Sequence, residues 1–337
     1  MLSRSQFILG PEGMGFEKEF AAFTGARDCV TVSSGTSAIE LSLRDAGVTG
    51  EVVTTALTAP FTAVGILAAG ASVRFADVDP GTLQMDPADA ANRINRRTRA
   101  LLPVHLYGQL CAIEALRKLA ADHGLALIQD ACQAHGARLS GRPLTRFSEY
   151  VCYSFYPTKN LGCLGDGGAV ATSRSRPAQR LRRMRDGGRV GQIALTPGVN
   201  ARLDEIQACY LRAALPHLAG WNASRAKLAA VYDNALADCP GVTLVRRDQN
   251  SVHHLYVIRA QRRDGLRRHL TRAGIGTGVH YPVPLHLHPA FAAARQKRGS
   301  LPHAERACRE ILSLPLWPGL RQTEALRVAE SIRSYFQ

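Results

Sequence analysis

The sequence contains neither a long apolar segment nor a pair of closely spaced cysteines. No apolar run approaches the ~18–20 residues that a membrane-spanning helix requires, so we expect no membrane association. The first ten residues lack the apolar core and cleavage site of a secretory signal, and the eight cysteines are scattered without a C-x-x-C pair. These absences predict a cytoplasmic protein with reduced thiols.

Lysine and aromatic residues are also scarce, although the chain is strongly basic. Only five of the 42 lysine and arginine residues are lysines, which leaves 37 arginines, and the formal net charge is +15. Aromatic residues make up 6% of the chain, and the arginines are spread in pairs along it. Because single-strand binders combine a basic groove with stacking aromatic residues, we expect no nucleic-acid partner. The charge suits a small anionic substrate instead.

Short apolar strands alternate with amphipathic helices over the first two thirds of the 337 residues. This alternation is typical of βαβ units and predicts an α/β fold with a mostly parallel central sheet flanked by helices. In such sheets ligands bind at the carboxyl ends of the strands. The predicted strands are 29–32, 51–55, 72–76, 100–105 and 125–130, and the predicted helices are 38–46, a segment ending at 69, and 113–123.

The last third of the chain predicts a smaller α+β unit. A helical stretch over 203–237, interrupted near Pro216, is expected to form a hinge. A strand at 253–259 and helices at 264–273 and 324–336 are expected to follow it. We therefore expect a large domain over 1–215, with an N-terminal segment that could pack with the smaller domain, and a small domain over 216–337.

Lys159 lies in an aromatic and glycine-rich segment, Tyr-Ser-Phe-Tyr-Pro-Thr-Lys-Asn-Leu-Gly. Arginine stays charged, whereas a desolvated lysine can lose its proton and attack a carbonyl group. Because the chain uses arginine at most of its other basic positions, the lysine at position 159 indicates a Schiff-base lysine. From this segment alone, a surface lysine on a turn remains the alternative.

Two further segments suit an anionic and a cationic group of one ligand. The turn at Gly35 and Thr36 ends a predicted strand and opens a helix, where free N–H groups and the helix dipole favour a phosphate; an ordinary helix cap is the alternative. Asp130 ends a buried strand, where a carboxylate needs a cation such as a protonated pyridine nitrogen. A helix-capping aspartate is the alternative for that position.

Other residues near these strand ends have weaker signals. Phe61, placed in a loop after Pro60, could stack on a heterocycle or pack in the core. Cys132 and His135 are expected to pack near the site rather than act as nucleophile or ligand. The histidines at 280, 286 and 288 are separated by prolines and lack nearby acids, so we predict no metal site.

From about Phe16 to the C-terminus, the chain resembles the DegT/DnrJ/StrS family of sugar aminotransferases, within the aspartate-aminotransferase fold type I of PLP-dependent transferases. The segments that carry this resemblance are Ser33–Ala38, Val104–Gln109, Asp130–Ala137, Ser154–Gly162, Gly165–Val170, Gly198–Ala208 and His280–His286. Departures are Gln129 where an acid is common, Cys132 where an alanine is common, and a shorter N-terminal segment that lacks much of the family's first helix.

The resemblance implies a pyridoxal 5'-phosphate site and gives each residue a role. Lys159 would form the Schiff base and Asp130 would pair with the pyridine nitrogen. The other cofactor contacts would be Gly35, Thr36 and Ser154 at the phosphate, Gln133 at the phenolic oxygen, Phe61 on the ring and Asn200 reaching the phosphate from the partner of a homodimer. His280 and Tyr281 would lie near the substrate.

The implied reaction transfers an amino group from glutamate or glutamine to a ketosugar, and the resemblance favours the nucleotide-linked kind used in amino-sugar or antibiotic biosynthesis. A ketocyclitol aminotransferase and a PLP-dependent sugar dehydratase are alternatives on the same scaffold. Relatives that dehydrate replace the lysine by histidine, so Lys159 favours transamination. A PLP-binding regulator or an inactive partner subunit is the alternative outside enzymes.

Overall fold

The structure, a computed structural model, describes residues 5–337, which form eleven α-helices and twelve β-strands. The helices are α1 Pro11–Thr24, α2 Gly35–Asp45, α3 Pro60–Ala68, α4 Pro87–Arg93, α5 Ile113–Asp122, α6 Ser175–Met184, α7 Glu205–Ala214, α8 Leu218–Leu236, α9 Arg263–Arg272, α10 Pro302–Glu310 and α11 Gln322–Phe336. The strands are β1 Asp28–Val32, β2 Glu51–Thr55, β3 Ser72–Ala76, β4 Thr98–Leu102, β5 Ala126–Asp130, β6 Tyr150–Ser154, β7 Gly168–Thr172, β8 Arg189–Val190, β9 Ile193–Ala194, β10 Val242–Leu244, β11 Tyr256–Ala260 and β12 Ile311–Leu314.

Seven strands form the large sheet, in the order β1-β7-β6-β5-β4-β2-β3. Neighbouring strands from β3 to β6 are parallel, whereas β7 runs antiparallel to both β6 and β1. Along β7, Val170 packs into the apolar cluster that includes α2, while Ala169 and Ala171 pack into the cluster that includes α1. Both faces of the sheet are thus covered by helices, which confirms the predicted α/β class.

The N-terminal helix α1 packs against α7 and β1. Glu205 at the start of α7 accepts hydrogen bonds from the amides of Glu12 (2.8 Å) and Gly13 (2.7 Å). These amides belong to the first turn of α1, which has no side-chain cap of its own. A buried carboxylate therefore holds the positive end of this helix.

The C-terminal part contains a three-stranded antiparallel sheet, in the order β10-β11-β12. An apolar cluster joins this sheet to α8, α9 and α11. Helices α7 and α8 are separated by a short 3-10 turn at Leu215–His217, which confirms the predicted interruption near Pro216. The domain boundary at 215/216 stays a prediction. Val257 and Leu285, which lie in the predicted small domain, pack into the apolar cluster of the large sheet.

Several predicted bounds differ from the observed ones. The strand predicted at 100–105 is β4, Thr98–Leu102, and the strand predicted at 253–259 is β11, Tyr256–Ala260. Phe61 lies in the first turn of α3 rather than in a loop, because Pro60 occupies the first helical position, where its missing N–H has no cost. None of the helices within residues 5–337 is long and apolar enough to cross a membrane.

Candidate active site

The carboxyl ends of four strands bring the predicted site residues to one edge of the large sheet. Val32 and Ser154, which end β1 and β6, are both paired with Gly168 at the start of β7. Asp130, which ends β5, is paired with Cys152 of β6. Strand β2 ends nearby and leads into α3. The register therefore places the Ser34–Thr36 turn, Asp130 and Ser154 side by side.

The turn that opens α2 has the features of an anion site. The Ser34 side chain caps the helix by accepting a hydrogen bond from the Ser37 amide at 3.1 Å. Within the described chain, the amides of Gly35 and Thr36 donate to no protein acceptor. A Cβ at Gly35 would lie 2.8 Å from the Cβ of Ser154. Only glycine permits this close approach of the α2 turn to Ser154. The turn therefore presents two unpaired amide donors at a helix N-terminus, next to the end of β6.

Asp130 is a buried carboxylate whose contacts are neutral donors. Its Oδ2 accepts from the Thr62 hydroxyl at 2.9 Å, and its Oδ1 accepts from the Cys132 amide at 3.0 Å. Among residues 5–337 no cation forms an ion pair with it. Because a buried charge is costly when it is unpaired, this carboxylate suits a ligand that brings its own positive charge.

Lys159 lies partly buried in the loop between β6 and β7, where its amide donates to the Tyr156 carbonyl at 2.9 Å. Burial lowers the pKa of its ammonium group, and the nearby charges of Cys132 and Asp130 oppose this effect. In the described residues Nζ has no hydrogen-bond or ion-pair partner. The other four lysines are exposed. Within residues 5–337, Lys159 is therefore the one lysine whose amine is both unpaired and partly desolvated.

Gln133 and two tyrosines form one hydrogen-bonded group beside Asp130. The Gln133 side chain accepts from the Tyr107 amide at 2.7 Å and donates to the Tyr281 hydroxyl at 3.3 Å. The Tyr107 hydroxyl donates to the carbonyl of His280. Burial raises the pKa of Tyr281 to about 12, so its hydroxyl keeps its proton. This group attaches the segment 280–281 to the large sheet.

His135 also lies at this edge, as the sequence led us to expect. Its Nε2 atom donates to the Ser154 carbonyl at 2.8 Å, since a carbonyl can only accept. The Nδ1 atom is then an acceptor, and it is buried without a partner. Burial, and secondarily the charge of Lys159, lowers the pKa of His135 to about 3. The imidazole is therefore neutral and does not compete with Lys159 as a cation.

Two residues that were predicted to contact the cofactor, Phe61 and Asn200, are exposed, whereas Asp130, Gln133 and His135 are buried. The Phe61 side chain is 65% exposed, so its ring is available to a ligand rather than packed in the core. Asn200 is exposed and its backbone bridges to Asp186, while the next residue, Ala201, accepts from the Ser33 amide at 3.1 Å. Asn200 therefore neighbours the α2 turn through the backbone, and its side chain faces outward.

The histidines at 280, 286 and 288 have separate partners: the Ser313 hydroxyl, the Glu305 carboxylate and the Val283 carbonyl. No group of three potential metal ligands occurs within residues 5–337. Cys132 lies beside Asp130, and burial raises the pKa of its thiol well above the usual value, which disfavours a nucleophilic role.

Sequence reasoning missed three residues of this region: Thr62, Asn160 and His254. Thr62 follows Phe61 directly, and its side-chain hydroxyl is a possible donor to a strand-end carboxylate. Asn160 follows Lys159 directly and is buried, with hydrogen bonds to Asn222 and Val252. The only sequence signal for Thr62 and Asn160 is that each follows a predicted site residue. Their hydrogen-bond partners are distant in sequence and could not be predicted.

The chain matches the model of the DegT/DnrJ/EryC1/StrS aminotransferase family over residues 1–333. It is 45% identical over 340 residues to dTDP-3-amino-3,4,6-trideoxy-alpha-D-glucose transaminase of Streptomyces venezuelae, covering 99% of this chain and 90% of that protein. It is 36% identical over 343 residues to UDP-N-acetyl-3-dehydro-alpha-D-glucosamine 3-aminotransferase of Acidithiobacillus ferrooxidans, covering 99% and 91%.

Among solved structures, the chain is similar to S. venezuelae DesV in complex with a ketimine intermediate. The TM-score is 0.97 at 44% identity, covering 100% of this chain and 92% of DesV. The fold is therefore that of a known aminotransferase, with the central sheet and the strand-end site described above. The chain belongs to the DegT/DnrJ/EryC1/StrS aminotransferase family.

Proposed function

We propose that this enzyme transfers an amino group from glutamate or glutamine to a ketosugar linked to a nucleoside diphosphate, with pyridoxal 5'-phosphate as cofactor. The two relatives described above are named for amino sugars linked to dTDP and UDP, and both names place the amino group at carbon 3. A nucleotide-linked 3-ketohexose is therefore the acceptor class that we expect.

The observation that carries the proposal is the convergence of three unsatisfied groups at one sheet edge. The α2 turn offers two free amides, Asp130 offers a buried carboxylate without a cation, and Lys159 offers an unpaired amine. Pyridoxal phosphate carries a matching phosphate, ring nitrogen and aldehyde. The residues present therefore fit this cofactor: Gly35, Thr36 and Ser154 would hold its phosphate, and Phe61 and Gln133 would contact its ring.

Bound pyridoxal phosphate supplies an aldehyde that carries the amino group between substrates and a ring that accepts electrons. Asp130 would hold a proton on the ring nitrogen, and Thr62 would orient its carboxylate. Lys159 would bind the aldehyde, and its Nζ atom would move the proton of the donor's α-carbon. Because burial lowers its pKa, more of the free amine is present near neutral pH, which favours a shuttle worth typically ~10²–10⁴-fold in rate.

The substrate would approach from the side of His280 and Tyr281. Burial, and secondarily the charge of Lys159, lowers the pKa of His280, so its imidazole is neutral. A neutral imidazole can accept a hydrogen bond from a sugar hydroxyl, or donate one to it, without adding charge. The protonated Tyr281 hydroxyl accepts a hydrogen bond from the Gln133 side chain, which fixes its position beside Asp130. Both residues are thus suited to orienting a sugar.

The proposed assembly is a homodimer in which each chain completes the site of the other. Asn200 and the β8–β9 hairpin carry exposed side chains, including the large apolar residues Val190, Ile193 and Leu195. Such residues are costly to leave in water, and a second copy would cover them. Asn200 would then donate to the phosphate in the partner's site. Asn200→Ala should weaken cofactor binding without unfolding the chain, and unchanged affinity would count against the shared site.

The function is tested by mixing the protein with pyridoxal phosphate, glutamate or glutamine, and a dTDP- or UDP-linked 3-ketohexose. Amino sugar should form in step with the keto acid of the donor. Lys159→Ala should abolish both products, whereas Lys227→Ala, which removes an exposed lysine of α8, should retain them. Product from ketocyclitols alone, or loss of water without amination, would contradict the proposal. A protein that holds the cofactor and never turns over would instead be a regulator.

A further inference from the structure

The residue after Lys159 is held more tightly than a loop residue requires. Asn160 is buried, and its amide nitrogen donates to the Asn222 side chain at 2.8 Å and to the Val252 carbonyl at 2.9 Å. Its amide oxygen contacts Nδ1 of His254 at 3.0 Å. One side chain therefore joins the lysine loop to helix α8 and to the segment 252–254 that precedes β11.

These contacts fix which ring nitrogen of His254 carries the proton. The Val252 carbonyl only accepts, so the nitrogen end of the Asn160 amide faces it, and the oxygen end faces His254. An amide oxygen also only accepts, so Nδ1 of His254 must be the donor. Burial, and secondarily the charge of Lys159, lowers the pKa of His254 well below its usual value, which agrees with a neutral ring. The bare Nε2 atom is then an acceptor, on a ring that lies close enough to Lys159 for the charge of the lysine to act on it.

The same group of side chains continues to the phosphate side of the site. Asn222 donates to the His135 carbonyl at 2.8 Å, and the His135 ring donates to the Ser154 carbonyl. At the other end, the Val252 amide donates to the Gly108 carbonyl at 2.9 Å. The lysine loop, the end of β6 and the segment before β11 are therefore connected by oriented hydrogen bonds rather than by apolar contact alone.

We propose that Asn160 is a positioning residue that, with His254 as its fixed donor, holds the backbone of Lys159 so that Nζ stays in its desolvated place at the sheet edge. The proposal rests on the proposed function, because it assumes that Lys159 is the reactive amine. It adds that the segment before β11 sets the properties of that amine through a single asparagine. Loosening this attachment lets water reach Nζ. Because burial is what lowers the pKa of Lys159, this hydration raises the pKa toward the ordinary value of a lysine.

The test measures the titration of Lys159 in cofactor-free protein. Brief acylation across a pH series, followed by mass spectrometry, gives for each lysine the titration midpoint, the pH at which half of the amine is deprotonated and reactive. Cleavage at Arg146 and Arg174 isolates Lys159 as the only lysine of its peptide. Exposed Lys227 is an internal reference. In the wild type, Lys159 should have a midpoint below that of Lys227. Asn160→Ala should raise it by about one pH unit or more, a roughly tenfold loss of free amine.

Matched variants separate positioning from general damage. Asn95→Ala removes another asparagine that bonds a distant side chain, Glu51, and should leave the Lys159 midpoint unchanged. His254→Leu should raise the midpoint, whereas His254→Asn, which retains a donor toward Asn160, should restore it. If Asn160→Ala does not fold, the comparison of the two His254 variants decides. Folded Asn160→Ala or His254→Leu protein with the wild-type midpoint would overturn the proposal.

This readout is independent of turnover. If borohydride reduction of wild-type protein with pyridoxal phosphate leaves Lys159 unmodified, the proposed function fails even where the midpoints move as expected. If that modification occurs and the midpoints stay fixed in the variants, the function stands and the positioning role of Asn160 fails.

Discussion

Replacing His135 by glutamine should make the protein less sensitive to acid. The folded state holds His135 as a neutral, buried imidazole that donates to the Ser154 carbonyl, with a pKa of about 3 against 6.5 for an unperturbed histidine. The unfolded chain therefore binds more protons between these two values. Stability is fully present above the unfolded pKa and is lost as the pH falls toward the folded one.

The size of this effect follows from the two pKa values. At about pH 5 the unfolded imidazole is almost wholly protonated, and the folded one is not, so lowering the pH from about 7 to about 5 costs about 2 kcal/mol from His135 alone. Glutamine does not titrate, and its amide can still donate to the Ser154 carbonyl. His135→Gln should therefore remove about 2 kcal/mol of the loss that the wild type suffers over this range.

Urea unfolding of the cofactor-free protein at a fixed concentration, repeated across this pH range, measures the difference. The expected result is a flatter dependence of the unfolding free energy on pH in His135→Gln than in the wild type. His123→Gln is the matched control, since His123 is exposed at the end of α5, and it should keep the wild-type slope. Equal slopes for the wild type and His135→Gln would refute the assignment of a neutral buried imidazole.

Three further substitutions have expected outcomes. Thr62→Val should lower the unfolding free energy of the cofactor-free protein by about 1.5–3 kcal/mol in urea, because a buried oxygen of Asp130 loses its donor. Gly35→Ala should weaken pyridoxal phosphate binding about tenfold or more in an absorbance titration, because the new Cβ would lie 2.7 Å from the Cys132 sulfur and displace the α2 turn. Glu205→Gln should cost about 1–2 kcal/mol in urea unfolding, because the first turn of α1 loses a charged acceptor for its two amides.

Each of these has a control in the chain. Thr62→Ser keeps the hydroxyl and should stay near the wild type; a similar loss in both variants would mean that packing, rather than the hydrogen bond, is responsible. Gly220→Ala adds a methyl group where nothing lies within 4 Å, so cofactor affinity should not change. Glu19→Gln changes a more exposed carboxylate of α1 and should cost less than Glu205→Gln; the reverse order would contradict the capping role.

The sequence was enough to predict the parts of the site that carry a local signal. Lys159 was conspicuous because lysine is rare in the chain and this one lies in an aromatic and glycine-rich segment. Asp130 was conspicuous because it ends a strand of apolar residues, and the α2 turn because Ser34 and Gly35 are a typical helix start. The structure brings these segments to the same sheet edge, as parallel strands with aligned carboxyl ends require. Their roles toward the cofactor remain predictions.

The rest could not be predicted because it depends on which distant segments meet. The Thr62–Asp130 bond joins residues 68 positions apart, and the Asn160–His254 contact joins residues 94 positions apart. Strand β7 was missed because it consists of small residues buried on both faces, which leaves no alternating pattern. Strand β12 follows α10 without an intervening turn residue, so no sequence signal marks the change.

The most direct measurement for the central claim is the site of covalent attachment of the cofactor. Protein mixed with pyridoxal phosphate and reduced with borohydride should gain one pyridoxyl group, and the modified peptide should span residues 147–174, with Lys159 as its only lysine. Modification found only on the exposed lysines, or no modification at all, would contradict the assignment of Lys159 and with it the proposed reaction.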